Sequence, residues 1–218
     1  MKSTLLNMTA VLLGITFVAS AGVGLVNMVT VEPIANAEKA AKEKALSNVL
    51  PAFDSTSDEV LDLDQMPIKV YTATKDGAVT GYAVETMSKK GFGGNVRLMV
   101  GFTAAGLLNN INVLEQKETP GLGSNMSKDG NKLQESFLGD DAEKDFSKRK
   151  LNNGQLAVVK DAGDVDALTA ATISSRAYVD AVNRAWAAYK QVAASTASQQ
   201  QTEESAEEPV AQEGAENE

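Results

Sequence analysis

The chain has 218 residues and a formal net charge of −9 at pH 7, and it contains neither cysteine nor histidine. These absences exclude disulfides, the usual zinc, haem and thiolate metal sites, Cys-ligated iron–sulfur clusters and a Ser-His-Asp triad, so redox chemistry would require an organic cofactor. The length allows one globular domain plus accessory segments, and the lack of a basic stripe argues against nucleic-acid binding.

The first predicted element is a membrane-spanning helix at residues 5–31. No charged residue occurs from position 3 to position 31, and about 20 apolar residues are enough to cross a bilayer as a helix. A cleaved secretory signal is the alternative, because Lys2 precedes the apolar run and the small residues around Ala21 resemble a cleavage site. The run continues well past Ala21, which favours an uncleaved anchor. Lysines flank it on both sides, so charge alone does not set the orientation.

A charged stalk and a linker are predicted next, at residues 32–66. Residues 36–50 are rich in Ala, Lys and Glu, which favour a helix, and Pro51 ends it. The acidic stretch 54–65 is predicted to be a linker.

From residue 67 the pattern becomes that of β-strands. Four runs rich in Val, Ile and aromatic residues, separated by turn signals, predict an antiparallel meander. These runs are 68–74, 79–87, 95–102 and 107–116. A fifth strand is predicted at 155–162, and the amphipathic helix after it carries an apolar stripe of Val179, Val182, Trp186 and Tyr189.

The C-terminal end is predicted to be a disordered acidic tail. Residues 191–218 contain seven Glu and neither Lys nor Arg, and their apolar content is too low to support a core. The predicted organisation is a short segment at 1–4, a transmembrane helix at 5–31, a stalk and linker at 32–66, a domain at 67–192 and a tail at 193–218.

Two segments carry residues that could bind a ligand. The loop 118–123, Glu-Thr-Pro-Gly-Leu-Gly, combines a fixed proline φ with glycines that let the backbone approach a ligand closely. An ordinary tight loop is the alternative. The second segment places four hydroxyl side chains before the last helix, namely Thr169, Thr172, Ser174 and Ser175.

A helix cap explains one of these hydroxyls, and Ser174 or Ser175 is the predicted cap. The start of a helix also suits a phosphate, either bound or joined covalently to a threonine. Lys160 is a candidate cation near this site, with a solvated lysine as the alternative.

In combination, the membrane span and three motifs resemble the G subunit of the Rnf-type ion-translocating electron-transport complex. The motifs are GYAVE, VGFTAAGLLNNINVLEQKETPGLG and DALTAATISSRAYVDAVNRAW, and the resemblance covers residues 1–192. A close relative of that family is the C subunit of the sodium-pumping NADH:quinone oxidoreductase. The resemblance implies an α+β fold, with one transmembrane helix followed by a single FMN-binding domain that has an antiparallel sheet and flanking helices.

The resemblance also implies a covalent FMN, joined through its phosphate to Thr172 by a flavin transferase that uses FAD. The implied recognition motif is Asp166, Thr169, Ala170, Ala171 and Thr172, in which Ala170 stands where the family usually has glycine. A positive φ there would make alanine costly. The other implied cofactor-binding residues are Glu118, Thr119, Gly121, Leu122, Gly123, Lys160, Thr169, Ala171 and Ser174. No catalytic residue and no metal ligand is implied.

The function implied by the resemblance is electron relay within a complex that couples ferredoxin and NAD electron transfer to Na⁺ or H⁺ movement. The expected partners are the other subunits, a flavin transferase and the bacterial inner membrane, with the FMN domain on the periplasmic side. One alternative is the equivalent flavoprotein subunit of the sodium-pumping quinone reductase. The other is a non-redox, membrane-tethered assembly module.

Overall fold

The structure, a computed structural model, describes residues 2–63 and 66–206. Its first element is the helix α1, Lys2–Val49, which continues through Pro33. The stalk helix predicted at 36–50 is therefore part of α1 and does not begin as a separate element at residue 36. Within the described residues, the segment Thr4–Val49 is the one helix long and apolar enough to cross a membrane, with a mean hydropathy of 2.1 in its most apolar window.

Five strands then form one antiparallel sheet in the order β1-β2-β3-β4-β5. The strands are β1 Ser55–Leu63, β2 Met66–Lys75, β3 Ala78–Ser88, β4 Val96–Thr103 and β5 Leu108–Glu115. The predicted α+β architecture is confirmed, and the four predicted strands correspond to β2 to β5. The β2–β3 hairpin turns through Asp76 and Gly77, both with positive φ, as a tight two-residue hairpin requires.

The linker predicted at 54–65 is wrong, because β1 occupies most of it and pairs with β2 along its whole length. Most β1 side chains are exposed, and several are acidic, as suits an edge strand that must resist further pairing. Leu61 and Leu63 still pack against the core, so the strand contributes to one face of the sheet.

Up to residue 206, where the description ends, three further helices follow the sheet: α2 Lys132–Leu138, α3 Asp141–Lys144 and α4 Thr172–Ala206. Short 3-10 helices lie at Gly123–Ser127, Phe146–Lys148 and Val159–Asp161.

The main core lies between α4 and one face of the sheet. Alternate strand residues such as Val84 and Val100 point to this face, and Tyr178 and Val182 of α4 are buried against it. Alanines recur on the same face of α4 and let the helix approach the sheet closely. Of the predicted apolar stripe, Val179 and Val182 are buried, and Trp186 and Tyr189 pack partly buried against the core.

The other face of the sheet is covered in part by the end of α1. Leu46 and Val49 form a second cluster with Tyr71 and Met99. At Gly101 a Cβ would collide with the Val49 carbonyl group, so a glycine is needed where the helix end meets β4.

The strand predicted at 155–162 is wrong. That segment contains an isolated bridge of Val158 with Val165 and the 3-10 helix Val159–Asp161. Leu156 and Val158 are buried. The apolar pattern of this segment therefore results from burial and not from pairing within the sheet. The helix α4 continues to Ala206, past the predicted domain end at 192, and residues 207–218 of the predicted tail lie outside the described residues.

Candidate cofactor-binding groove

A groove of about 330 Å³ opens at the start of α4. Three chain segments form its walls: the glycine-rich loop 91–94, the loop 119–123 and the residues 170–174. The lining residues are Phe92, Thr119, Leu122, Gly123, Ala170, Ala171, Thr172, Ile173 and Ser174.

Three large apolar side chains are exposed around this groove. Phe92 is 69% exposed, Ile173 48% and Leu122 40%. Each belongs to a different wall, so the apolar surface surrounds the opening. Exposed apolar groups that converge on one concave site are typical of ligand pockets, where a few polar groups fix the orientation.

One polar residue of the lining is Thr172, the first residue of α4. Lys160 Nζ donates a hydrogen bond to Thr172 Oγ1 at 3.2 Å. The N-terminus of a helix carries unpaired N–H groups and a partial positive charge. A hydroxyl with a lysine ammonium beside it at this position is therefore suited to a phosphate group.

A second contact holds the Lys160 segment against α4. Arg176 donates two hydrogen bonds to Asp161, at 2.7 and 2.6 Å. These hydrogen bonds and the charge of Arg176 hold the pKa of Asp161 below its ordinary value. The carboxylate stays ionised, so the bidentate pair keeps the 3-10 helix that carries Lys160 next to Thr172.

The segment before Thr172 forms an exposed loop with a buried underside. Asp166, Thr169 and Ala170 are exposed, whereas Leu168 and Ala171 are buried. Ala170 has φ 55°, in the left-handed region that favours glycine. The backbone at this position therefore has the positive φ that the sequence analysis described as costly for alanine.

Neither serine caps α4, so the predicted cap is wrong. The helix begins at Thr172, and both serines lie inside its first turn. Ser175 Oγ accepts a hydrogen bond from the Leu168 N–H and donates to the Ala171 carbonyl, each at 2.9 Å. Ser175 therefore holds the loop 166–171 against the first turn of α4. Ser174 donates a hydrogen bond to the buried carboxylate of Glu118.

The structure brings most of the sequence-predicted residues to the groove. Seven of them line it: Thr119, Leu122, Gly123, Ala170, Ala171, Thr172 and Ser174. Four others lie outside the lining: Glu118, Gly121, Thr169 and Asp166. Lys160 is also outside the lining but reaches it through its bond to Thr172.

Two lining residues were missed by the sequence analysis, Phe92 and Ile173. Phe92 carries a usable signal, since an aromatic residue between glycines in a turn has no strand or helix in which to be buried. Ile173 carries a weaker signal, because an apolar residue next to the motif also fits the core pattern of the helix that follows. Within the described residues, no group of three or more His, Cys, Asp or Glu side chains is placed to hold a metal ion.

Known proteins share sequence similarity with most of this chain. The sequence pattern of the FMN-binding domain matches residues 91–187, which include all three walls. A Shewanella amazonensis protein, named as the G subunit of an ion-translocating oxidoreductase complex, is 30% identical over 195 residues, covering 84% of this chain and 87% of that protein. The protein of the same name from Shewanella piezotolerans is 31% identical over 198 residues, with coverages of 85% and 89%. That from Haemophilus influenzae is 37% identical over 119 residues, covering 53% of each chain.

Proposed function

Because this chain belongs to the family of G subunits of ion-translocating oxidoreductase complexes, as its motifs predicted, we propose that it is a membrane-anchored electron carrier that holds FMN in the groove at Thr172. The observation that carries the proposal is the composition of the groove. One partly exposed threonine hydroxyl with a lysine beside it faces three exposed apolar side chains from three separate walls.

These residues fit the two chemical halves of FMN. The phosphate would be held at the start of α4 by Thr172 and Lys160, where the helix N-terminus favours negative charge. The ring system would be held between Phe92, Leu122 and Ile173, whose apolar surface is otherwise exposed to water. Bound FMN supplies the redox chemistry that a chain without Cys or His lacks.

The attachment is proposed to be a phosphoester from Thr172 Oγ1, formed by a flavin transferase. The residues that this enzyme would read are Asp166, Thr169, Ala170 and Ala171. The exposure of Asp166, Thr169 and Ala170 makes the loop accessible to an enzyme. Lys160 would then balance the negative charge of the phosphoester.

The wider role is proposed to be electron relay between other subunits of a complex that couples ferredoxin and NAD electron transfer to Na⁺ or H⁺ movement. The names of the relatives favour this complex over the quinone reductase. The long apolar helix α1 supports a membrane anchor. The proposed membrane is the bacterial inner membrane, with the FMN domain on its periplasmic side, as the family resemblance implies. The chain's part is to bind and orient the cofactor, and it needs no general base of its own.

The direct test is to express the full chain with a flavin transferase, denature it, and measure in-gel flavin fluorescence and an FMN-sized mass increase. We expect wild type to be labelled and Thr172→Ala to lose the label completely. Thr196→Ala is the matched control, since it removes a threonine hydroxyl of α4 that lies outside the groove and the recognition motif, and it should keep the label.

An unlabelled wild-type chain, in an experiment where the same transferase labels a known substrate, would refute the proposal and leave the assembly module as the better account. Label that persists in Thr172→Ala would move the attachment to another residue. Co-purification of the labelled chain with other membrane subunits would test the relay role.

A further inference from the structure

One buried carboxylate, that of Glu118, connects the three walls of the groove. Glu118 is 5% exposed. Its Oε1 accepts a hydrogen bond from the Gly93 N–H at 3.0 Å, and its Oε2 accepts one from the Ser174 hydroxyl. Its backbone continues directly into the loop 119–123. The residue therefore contacts the Phe92 loop, the first turn of α4 and the Leu122 loop at once.

The glycines at this junction lie too close to Glu118 and its neighbours to carry a side chain. A Cβ on Gly91 would lie 2.6 Å from Glu118 Oε1, and a Cβ on Gly123 would lie 2.8 Å from Glu118 Cβ. A Cβ on Gly93 would collide with the Lys117 carbonyl group. The glycines of two walls thus pack against the residue that joins them, so its position determines theirs.

The carboxylate is held by neutral donors. Among the described residues no basic side chain forms an ion pair with Glu118, and both of its oxygens are occupied by the Gly93 amide and the Ser174 hydroxyl. A buried carboxylate without a cation is costly unless hydrogen bonds satisfy its oxygens. What the carboxylate provides is two directed hydrogen bonds to two separate segments, and these fix the distance between the segments.

We propose that Glu118 is a positioning residue that sets the separation between the Phe92 loop and the start of α4. It does not line the groove itself. Through Gly93 it places Phe92, and through Ser174 it places the turn that carries Thr172 and Ile173. That this groove holds FMN rests on the proposed function, whereas the connection between the walls is a property of the chain alone.

The test compares Glu118→Ala with Glu118→Gln and Ser174→Ala in the full chain. Glutamine can keep both connections, because its carbonyl oxygen accepts from the Gly93 N–H while its NH₂ donates to the Ser174 oxygen. Glu115→Ala is the matched control, since Glu115 is three residues away and bonds to Arg97. The first measurement is amide hydrogen exchange at Gly93 in flavin-free protein.

We expect Gly93 exchange to accelerate at least about tenfold in Glu118→Ala, to stay within about threefold of wild type in Glu118→Gln, and to be unchanged in Glu115→Ala. Ser174→Ala removes only the hydrogen bond between Glu118 and the first turn of α4, so Gly93 exchange should accelerate less than in Glu118→Ala. This variant also tests the proposal if Glu118→Ala fails to fold. The second measurement is the visible circular dichroism of flavin attached at Thr172. It should collapse in Glu118→Ala and persist in Glu118→Gln.

Wild-type exchange in both Glu118→Ala and Ser174→Ala would overturn the proposal. A Glu118→Gln variant as perturbed as Glu118→Ala would also overturn it, because the hydrogen bonds would then not be what positions the walls. If the transferase leaves wild type unlabelled, the proposed function fails, while the exchange measurement still decides the role of Glu118.

Discussion

At the scale of single residues, Ala170 is a position where the residue type does not suit the backbone. Its φ of 55° lies in the left-handed region, which costs an L-residue about 1–2 kcal/mol. Glycine would remove that strain but loses about 0.5–1 kcal/mol through its freedom in the unfolded chain. We therefore expect Ala170→Gly to raise the free energy of unfolding by about 0.5–1 kcal/mol, measured as a higher melting temperature of the full chain in detergent.

Trp186 is a suitable probe for this measurement, since it is the one tryptophan of the chain and its ring packs edge-on against Phe146 in the core. Ala162→Gly is the matched control, because Ala162 has φ 62° and lies outside the motif. Both variants should be stabilised by similar amounts. A lower melting temperature for Ala170→Gly would show that alanine is not strained at this position.

Some residues of the groove could be predicted from the sequence, and others could not. The hydroxyl cluster before the last helix and Lys160 were candidates for a phosphate site, and the family resemblance singled out Thr172 among the hydroxyls. The structure brings Lys160 Nζ within 3.2 Å of Thr172 Oγ1. Phe92 was missed because it was taken only as part of a turn between two strands. Glu118 was named as a binding residue, but the sequence does not show that its side chain turns inward and is buried.

At the scale of elements, an ion pair joins the segment after α3 to the loop before α4. The Arg149 side chain is 3% exposed and donates to both carboxylate oxygens of Asp164, at 3.0 and 2.8 Å. A third bond runs from Arg149 to the Ser136 carbonyl. Burial alone would raise the pKa of Asp164, but the hydrogen bonds and charge of Arg149 outweigh it and lower the pKa.

This lowered pKa predicts how stability depends on pH. The folded-state pKa of Asp164 lies below its unfolded value of about 3.9. The stabilisation by the pair is therefore complete above about pH 4 and is lost as pH falls through the folded value. Asp164→Asn should cost about 2 kcal/mol at pH 7, because it leaves Arg149 buried with weaker partners.

The measurement is the melting temperature of wild type and variant between pH 7 and pH 3. The difference between them should shrink as the pH falls below about 4. Asp166→Asn is the control, since Asp166 is exposed two residues away and bonds through its backbone N–H. A difference that stays constant down to pH 3 would show that ionisation of Asp164 does not stabilise the fold.

Elements were predictable where their burial produced a periodic pattern. The runs that became β2 to β5 alternate or cluster apolar residues because at least one face is buried. The strand β1 was missed because an acidic, exposed edge strand has the composition of a linker. The false strand at 155–162 has the opposite cause, since Leu156 and Val158 are buried by tertiary packing without a neighbouring strand.

At the scale of the whole molecule, α1 determines whether the domain stays at a membrane. Its side chains between Leu5 and Ile34 include many exposed large apolar groups, which would be unfavourable in water. A lysine near the centre of a transmembrane helix costs about 3 kcal/mol, and one near its end costs far less because its ammonium reaches the interface. Two central lysines, Leu12→Lys with Val18→Lys, should therefore disfavour insertion by roughly 6 kcal/mol.

The measurement is the fraction of full-length protein that stays in membranes after alkaline carbonate washing, together with the mass of the mature chain. Wild type should remain in the membrane with its first residues intact, and the central double variant should be largely extracted. The control carries the same two charges at the ends of the run, Thr4→Lys with Ala35→Lys, and should remain in the membrane. A mature chain that begins after Ala21 would identify the apolar run as a cleaved signal.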